Sequence, residues 1–238
     1  LIYQYGGRIY DDNAMRTEID SESGVAAFKL YTSLYNDYGL PTVYDFVSRF
    51  RSGEMPMGLA SYSTYNTLVV SAPEIRGLWD FTLFPGTLRK DGEGHMVLDR
   101  SVHSTGLSCM MIATDDERIK ANSWEFLKWW VSADAQVRFG REIEAILGSS
   151  ARYTTANQDA LRQLAWSADQ LSILETQMAS TVGFREIAGG YSTTRHMTNA
   201  IRRVINTKED VRETLLTYAR TINDEIRIKR KEFGLPTE

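Results

Sequence analysis

His95, His103 and His196 are the only histidines among the 238 residues, and Cys109 is the only cysteine. Metal ligation or proton transfer would need such groups clustered, as in His-Glu-x-x-His, where two imidazoles share one helix face. None of the three histidines lies in a pattern of that kind. His95 sits in a Gly-Glu-Gly-His loop, His103 precedes an apolar run, and His196 falls within a helical pattern. Cys109 would be a nucleophile only if exposed and activated. Its neighbours Leu107, Ser108, Met110 and Met111 predict a buried strand, in which a lone thiol behaves as a small hydrophobe. Gly189-Gly190 is too short for a phosphate loop, and no Lys-Ser or Lys-Thr follows it. Asp11-Asp12-Asn13 lacks the spaced acids and the glycine of a calcium loop. Asp115-Asp116 and the Glu142 and Glu144 pair read as solvated turns and helix faces. A glycosidase needs two acids facing one another across a cleft, and spacing alone supplies no such pair. The expectation is a chain that is not an enzyme and that carries neither metal nor cofactor.

Binding without reaction asks for different residues. A polyhydroxylated ligand presents alternating apolar faces and hydroxyl edges, so its site wants aromatic platforms and polar side chains. Twelve tyrosines and five tryptophans provide the material. Most belong to helical stripes, such as Tyr31, Tyr35, Trp124 and Trp130. Two tyrosine-bearing segments stand apart. Ser61-Tyr62-Ser63-Thr64-Tyr65-Asn66 follows an expected strand, where α/β folds open onto their clefts. Gly189-Gly190-Tyr191-Ser192-Thr193-Thr194-Arg195 precedes a helix whose start its hydroxyls can cap, and a hydroxyl-rich or anionic ligand would meet the same amides. Tyr62, Ser63, Tyr65, Tyr191, Thr194 and Arg195 are therefore the candidate ligand-binding residues. The same segments also read as ordinary loops with packed tyrosines.

Composition narrows the field around these residues. A hydrophobic fraction of 42% and a charged fraction of 24% are ordinary globular usage. No apolar run approaches the ~20 residues of a membrane-spanning helix. A net charge of -4 with a pI near 5.5 argues against a general nucleic-acid surface. The one basic cluster, Arg227, Lys229, Arg230 and Lys231, ends a helical pattern, where cations complement the helix dipole. A single cysteine permits no intrachain disulfide, which fits the cytosol and also exported proteins of bacteria without an oxidising periplasm. The chain opens at Leu1-Ile2-Tyr3, without methionine or a basic leader, and reads as an excised piece.

The elements that must position the candidate residues follow from periodicity. Val25, Phe28, Tyr31, Leu34, Tyr35 and Tyr38 form one stripe, with Ser21 or Ser23 as cap and Gly39-Leu40-Pro41 as stop. A short helix is expected over 43–50. Residues 55–60, 79–84 and 104–113 read as strands, the last most clearly, with a charged glycine-rich loop over 87–94. Beyond Lys120 the pattern is helical: Trp124 to Val131, Val137 to Ile146, Leu161 to Leu174, Met197 to Ile205 and Val211 to Ile226. The expected class is α/β in the first half and helix-rich in the second.

The landmarks also resemble, in order, the extracellular solute-binding proteins that include the maltose-binding protein. They are Tyr5-Gly6-Gly7-Arg8-Ile9-Tyr10-Asp11, Tyr38-Gly39-Leu40-Pro41, and Phe50-Arg51-Ser52-Gly53-Glu54-Met55-Pro56-Met57-Gly58. Then come Trp79-Asp80-Phe81 with Phe84-Pro85-Gly86, Ser104-Thr105-Gly106, and Ala121-Asn122-Ser123-Trp124-Glu125-Phe126-Leu127-Lys128-Trp129. The resemblance implies a type II-like periplasmic binding protein fold and the carboxy-terminal portion of a two-lobed domain. Residues 1–103 and 149–238 would form mainly the carboxy-terminal lobe. Residues 104–148 would pack on an amino-terminal lobe of which this chain lacks roughly the first hundred residues. It implies the solute-binding component of an ABC importer, with a permease partner, holding a carbohydrate in an inter-lobe cleft. Tyr62 and Tyr65 match one ligand-stacking loop and Tyr191 and Arg195 the neighbourhood of another. The tryptophans of the maltodextrin binders are missing there, and Arg195 leaves an acidic sugar open. The location implied is outside the cell, periplasmic or membrane-anchored as a lipoprotein. Trp124, Trp129, Trp130 and Phe139 would form an exposed patch, or one covered by a second copy of the chain. A peptide, polyamine or acidic compound in the same fold, or a sensor module without transport, are the alternatives.

Overall fold

In a computed structural model of the chain, residues 1–104 and 106–237 are described. The chain runs through α1 (Glu22–Asn36), α2 (Phe46–Arg51), α3 (Thr64–Ser71), β1 (Thr87–Lys90), β2 (Met96–Asp99) and β3 (Val102–Ser104). It continues through α4 (Glu117–Trp130), α5 (Ala133–Leu147), α6 (Gln158–Leu161), α7 (Ala168–Met178), β4 (Thr181–Gly183), α8 (Thr193–Thr207) and α9 (Val211–Glu232). β1 pairs antiparallel with β2, and β3 pairs parallel with β4. Among the described residues no helix is long and apolar enough to cross a membrane. Two compact units emerge: Leu1–Val43 with Pro85–Ser104 and Ser180–Glu238, and Tyr44–Phe84 with Thr105–Ala179.

The first unit is built on α1, α8 and α9. Val25, Ala27 and Phe28 from α1 meet Ala200 and Val204 from α8, and Leu215, Ala219, Ile222 and Ile226 from α9. The α9 residues recur at steps of four, three and four, so they form one stripe on a 22-residue helix whose other face is charged. Gln4, wholly buried, ties the amino-terminal turn to the hairpin. Its amide nitrogen donates to the carbonyls of Pro85 and Ser101, and its carbonyl accepts from the Thr87 hydroxyl. A buried amide left unpaired would be costly, and this one is satisfied on both sides.

In the second unit, α5 and α6 carry the buried residues Ala135, Val137, Ala160 and Leu161, with Leu164 just beyond. The Thr155 hydroxyl donates to Gln136 Oε1 at 2.7 Å, and Gln136 Nε2 donates to the Trp130 carbonyl at 2.9 Å. That chain of bonds fastens the 149–157 loop to the turn between α4 and α5.

Helix starts follow the sequence closely. Ser21, Asp45, Asp116, Ser132, Asn157, Ser167 and Asp210 each accept a backbone N–H from the first turn that they precede. Strands do not follow it. Residues 55–60 and 79–84 are irregular, and of the expected strand over 104–113 only Ser104 is paired. Thr105 lies outside the described residues. The rest of that run is exposed, Cys109 included, which corrects the expectation of a buried thiol. Apolar composition makes a strand only where another strand supplies hydrogen bonds, and β4 reaches no further than Gly183. Conversely, the charged stretch 87–94 contains β1, because the Asp91 carboxylate accepts from the N–H groups of Glu93 and His95 and closes a hairpin. The expected helix over the stripe from Leu161 to Leu174 is broken between α6 and α7.

Candidate functional site

Tyr62, Ser63 and Tyr65 lie in the second unit; Tyr191, Thr194 and Arg195 lie in the first. The structure surrounds Tyr62 and Tyr65 with aromatic side chains that the sequence did not connect. The Tyr65 ring lies 5.0 Å from that of Trp166, 5.5 Å from that of Trp79 and 5.6 Å from that of Phe81, measured between centroids. Tyr62 stands 5.6 Å from Trp166. These edge-on and tilted geometries are the ones that aromatic quadrupoles favour. The cluster is drawn from α3 and its entry loop, from the irregular 78–84 segment, and from the break before α7.

A charge lies against it. The Arg152 guanidinium lies 4.9 Å from the centroid of Trp166 and 5.7 Å from that of Tyr65. Its Nε and Nη2 donate to Glu144 Oε1 at 3.1 and 2.9 Å, so the cation is anchored on α5 while its face meets the rings. Asn66 Nδ2 donates to the Arg152 carbonyl at 2.7 Å and fixes α3 against the same loop.

Three polar atoms here are shut off from solvent with no hydrogen bond among the described residues: Tyr62 Oη, Asn66 Oδ1 and Trp166 Nε1. Burial pushes the Tyr62 phenol up to about 12, with the nearby Trp166 indole N–H and then the Arg152 charge opposing it. Beside the cluster a cavity of about 460 Å³ is lined by Tyr65, Trp79, Arg76, Asp80 and Gln170 among others. Gln170 Nε2 donates to Asp80 Oδ1 at 3.1 Å and to the Tyr65 hydroxyl at 3.4 Å. Ser63 is exposed and bonds only within its own turn, to Ser61 Oγ at 3.0 Å.

In the first unit the Gly189-Gly190 turn presents Tyr191. Gly189 has φ +80°, and a Cβ there would lie 2.7 Å from the Glu225 carbonyl on α9, so both backbone conformation and space demand glycine. Tyr10 Oη donates to Thr193 Oγ1 at 2.8 Å from inside the core. Ser192 and Thr193 are thereby buried, and Tyr191, Thr194 and Arg195 are left exposed. Arg195 forms no ion pair among the described residues. The expected hydroxyl cap on α8 does not form: the Ser192 hydroxyl donates back to the Gly189 carbonyl instead. α3 likewise lacks a side-chain cap. The two helices without side-chain caps among the described residues are thus the two that carry candidate ligand residues.

Trp79, Asp80, Arg152, Trp166 and Gln170 are the neighbours that sequence reasoning missed. Trp79 was placed in a strand, and Trp166 fell between stripe positions of an unbroken helix. Ser167 directly after Trp166 was the available signal, since a serine before an apolar run marks a helix start. Among the described residues no three potential metal ligands come together.

No protein-family model matches the sequence, and no curated protein matches it. Solved structures do. A solute-binding protein of an ABC transporter from Thermotoga lettingae, bound with alpha-D-tagatose, aligns over 94% of this chain and 54% of its own, with TM-score 0.66 and 14% identity. The sugar-binding protein MalE of Xanthomonas citri aligns over 99% of this chain and 56% of its own, with TM-score 0.68 and 13% identity. The cyclic alpha-maltosyl-1,6-maltose binding protein of Arthrobacter globiformis aligns over 94% and 54%, with TM-score 0.65 and 17% identity. The chain therefore spans about half the length of these solved structures. Over that half it has their fold, the type II-like architecture of periplasmic solute-binding proteins.

Proposed function

We propose that this chain is the carboxy-terminal portion of a carbohydrate-binding component of an ABC importer, acting outside the cell and handing its ligand to a membrane permease. The observation that carries this reading is the half-buried aromatic cluster of Tyr62, Tyr65, Trp79, Phe81 and Trp166 around Arg152. It occurs in a fold shared with proteins whose ligands are sugars. Aromatic faces match the apolar faces of pyranose and furanose rings, and such binding needs no reactive group. Tyr191, Thr194 and Arg195 form a second ligand-contacting set, at a helix start left open by the missing cap. Residues 104–148 pack on a further lobe in this reading. Trp124 and Trp129, each 55% exposed, belong to the surface concerned. A second copy of the chain on that surface is the competing arrangement.

A thermal-shift series with maltose, D-tagatose, cyclic gluco-oligosaccharides, amino acids and spermidine tests the reading. A ligand that binds the folded state raises the midpoint with the logarithm of its concentration over Kd. An upward shift with one sugar class, reduced in Tyr62→Ala and in Tyr191→Ala, is the expected outcome. Shifts with spermidine or amino acids alone would transfer the role to a non-sugar solute. Multi-angle light scattering of the free chain separates the monomer from the dimer.

A further inference from the structure

The cavity beside the aromatic cluster has a lining whose chemistry selects among ligands. Trp79 and Tyr65 give it aromatic walls, and Asp80, Gln170 and Arg76 are its polar groups. Asp80 Oδ1 is already engaged, accepting from Gln170 Nε2 at 3.1 Å and from the Phe81 N–H at 2.9 Å. Those two bonds hold the carboxylate in one orientation. Its second oxygen makes no hydrogen bond among the described residues. Gln170 spends its amide N–H groups on Asp80 and on the Tyr65 hydroxyl, which leaves its carbonyl oxygen as another acceptor. Asp80 and Gln170 thus offer pre-oriented acceptors, while the Tyr65 O–H and Arg76 offer donors, and the complement of such a wall is a hydroxyl-rich ligand that both donates and accepts. Asp80 and Arg76 carry opposite charges on the same lining, which sums to zero. A cation would gain from Asp80 and the rings but lose at Arg76; an anion meets the reverse. The volume, about 460 Å³, falls in the range of small-molecule pockets.

We infer that this cavity is a subsite for a neutral sugar ring, which stacks on Trp79 and donates a pair of hydroxyls to Asp80 and Gln170. The inference rests on the sugar-binding reading above and names the residues and ligand charge that it adds. Asp80 acts as a specificity residue: it is oriented by Gln170 before ligand arrives, so little ordering is left to oppose binding. Gln170 is a positioning residue for Asp80 as well as an acceptor. Arg76 excludes cationic ligands from a carboxylate-and-aromatic site that would otherwise suit them.

Isothermal titration of the chain with maltose, D-tagatose, D-glucuronate and spermidine tests this, on the unaltered protein and on Asp80→Ala, Trp79→Ala and Tyr191→Ala. Asp80 is exposed, so Asp80→Ala leaves helical circular dichroism unchanged and remains informative even where Trp79→Ala loosens the cluster. The expected result is binding of a neutral sugar that weakens about tenfold or more in Asp80→Ala, the loss of a charge-assisted hydrogen bond. A further expectation is that D-glucuronate and spermidine bind at least about tenfold more weakly than that neutral sugar. Unchanged sugar affinity in Asp80→Ala, with loss in Tyr191→Ala, overturns the subsite and leaves the sugar-binding reading standing. Tighter binding of spermidine or glucuronate than of either neutral sugar overturns the charge argument. Failure of every sugar to bind the unaltered chain overturns the reading and this subsite with it.

Discussion

The two units of this chain place their aromatic and aliphatic side chains differently. In the unit built on α1, α8 and α9, aliphatic residues converge on a closed core, with Leu215, Ile222 and Ile226 wholly buried. Among its polar insertions Gln4 has three partners and Tyr10 and Thr193 satisfy each other, while His196 Nε2 and Thr214 Oγ1 are buried with no hydrogen bond among the described residues. In the other unit a buried set that includes Val137 and Leu161 stands beside a half-buried aromatic cluster, three polar atoms at that cluster go unpaired among the described residues, and α4 buries none of its residues. A core gains stability from complete burial, whereas a recognition surface must keep faces and acceptors available for something else. The difference places the closed core of α1, α8 and α9 in one unit and the half-buried aromatic cluster in the other.

The sharpest way to break this comparison is to cut into both units and compare the cost. Ile222→Ala is expected to destabilise the chain by about 2–5 kcal/mol, because a wholly buried residue leaves a cavity in a closed core. Trp129→Ala on α4 is expected to stay within about 1 kcal/mol, since more than half of that side chain already meets solvent. Urea midpoints of the two variants measure both. Equal losses would dissolve the contrast.

Arg152 is where the second unit should behave most like a core. Its side chain and that of Glu144 are 13% and 19% exposed, so removing the cation strands a carboxylate and uncovers two rings. Arg152→Ala is expected to cost about 2–4 kcal/mol. Combining it with Glu144→Gln should recover part of that loss. A double-mutant cycle by chemical denaturation reads the coupling directly.

Tyr62 sharpens the contrast through pH. Its folded value, pushed up to about 12, lies above the ordinary 10.0, because burial disfavours the phenolate. The stability it contributes is therefore complete below about pH 10 and lost as pH rises through about 12. Absorbance at 295 nm should show a late phenolate that Tyr62→Phe removes. At neutral pH the same substitution is expected to change stability by less than about 1 kcal/mol, since the hydroxyl it deletes is buried without a partner.

Capping supplies the smallest effect and the control. Ser132→Ala before α5 and Asp210→Ala before α9 should each cost about 1 kcal/mol, regardless of the unit. Ser63→Ala and Ser192→Ala, at the two helices whose starts lack side-chain caps, should cost less as far as capping is concerned. Thermal midpoints of the four variants check the pattern.

The sequence by itself determined most of the helices, the break between α6 and α7 excepted. Ser21, Asp116, Ser132 and Asp210 accept bonds from amides two or three residues away, and the α9 stripe repeats within a single helix. Such relations are local, so order along the chain is enough to read them. It also determined that Tyr62, Tyr65 and Tyr191 stand at helix entries. The strands and the candidate site were decided only by tertiary structure. Residues 106–113 have the composition of a strand, yet they lie beyond the reach of β4, while the charged segment 87–90 is a strand because Met96–Asp99 returns beside it. Trp79, Arg152, Trp166 and Gln170 lie 14 to 105 residues from Tyr65 in sequence. Their meeting depends on where the 78–84 segment and the break before α7 come to rest, a choice made by the whole fold and by no local signal.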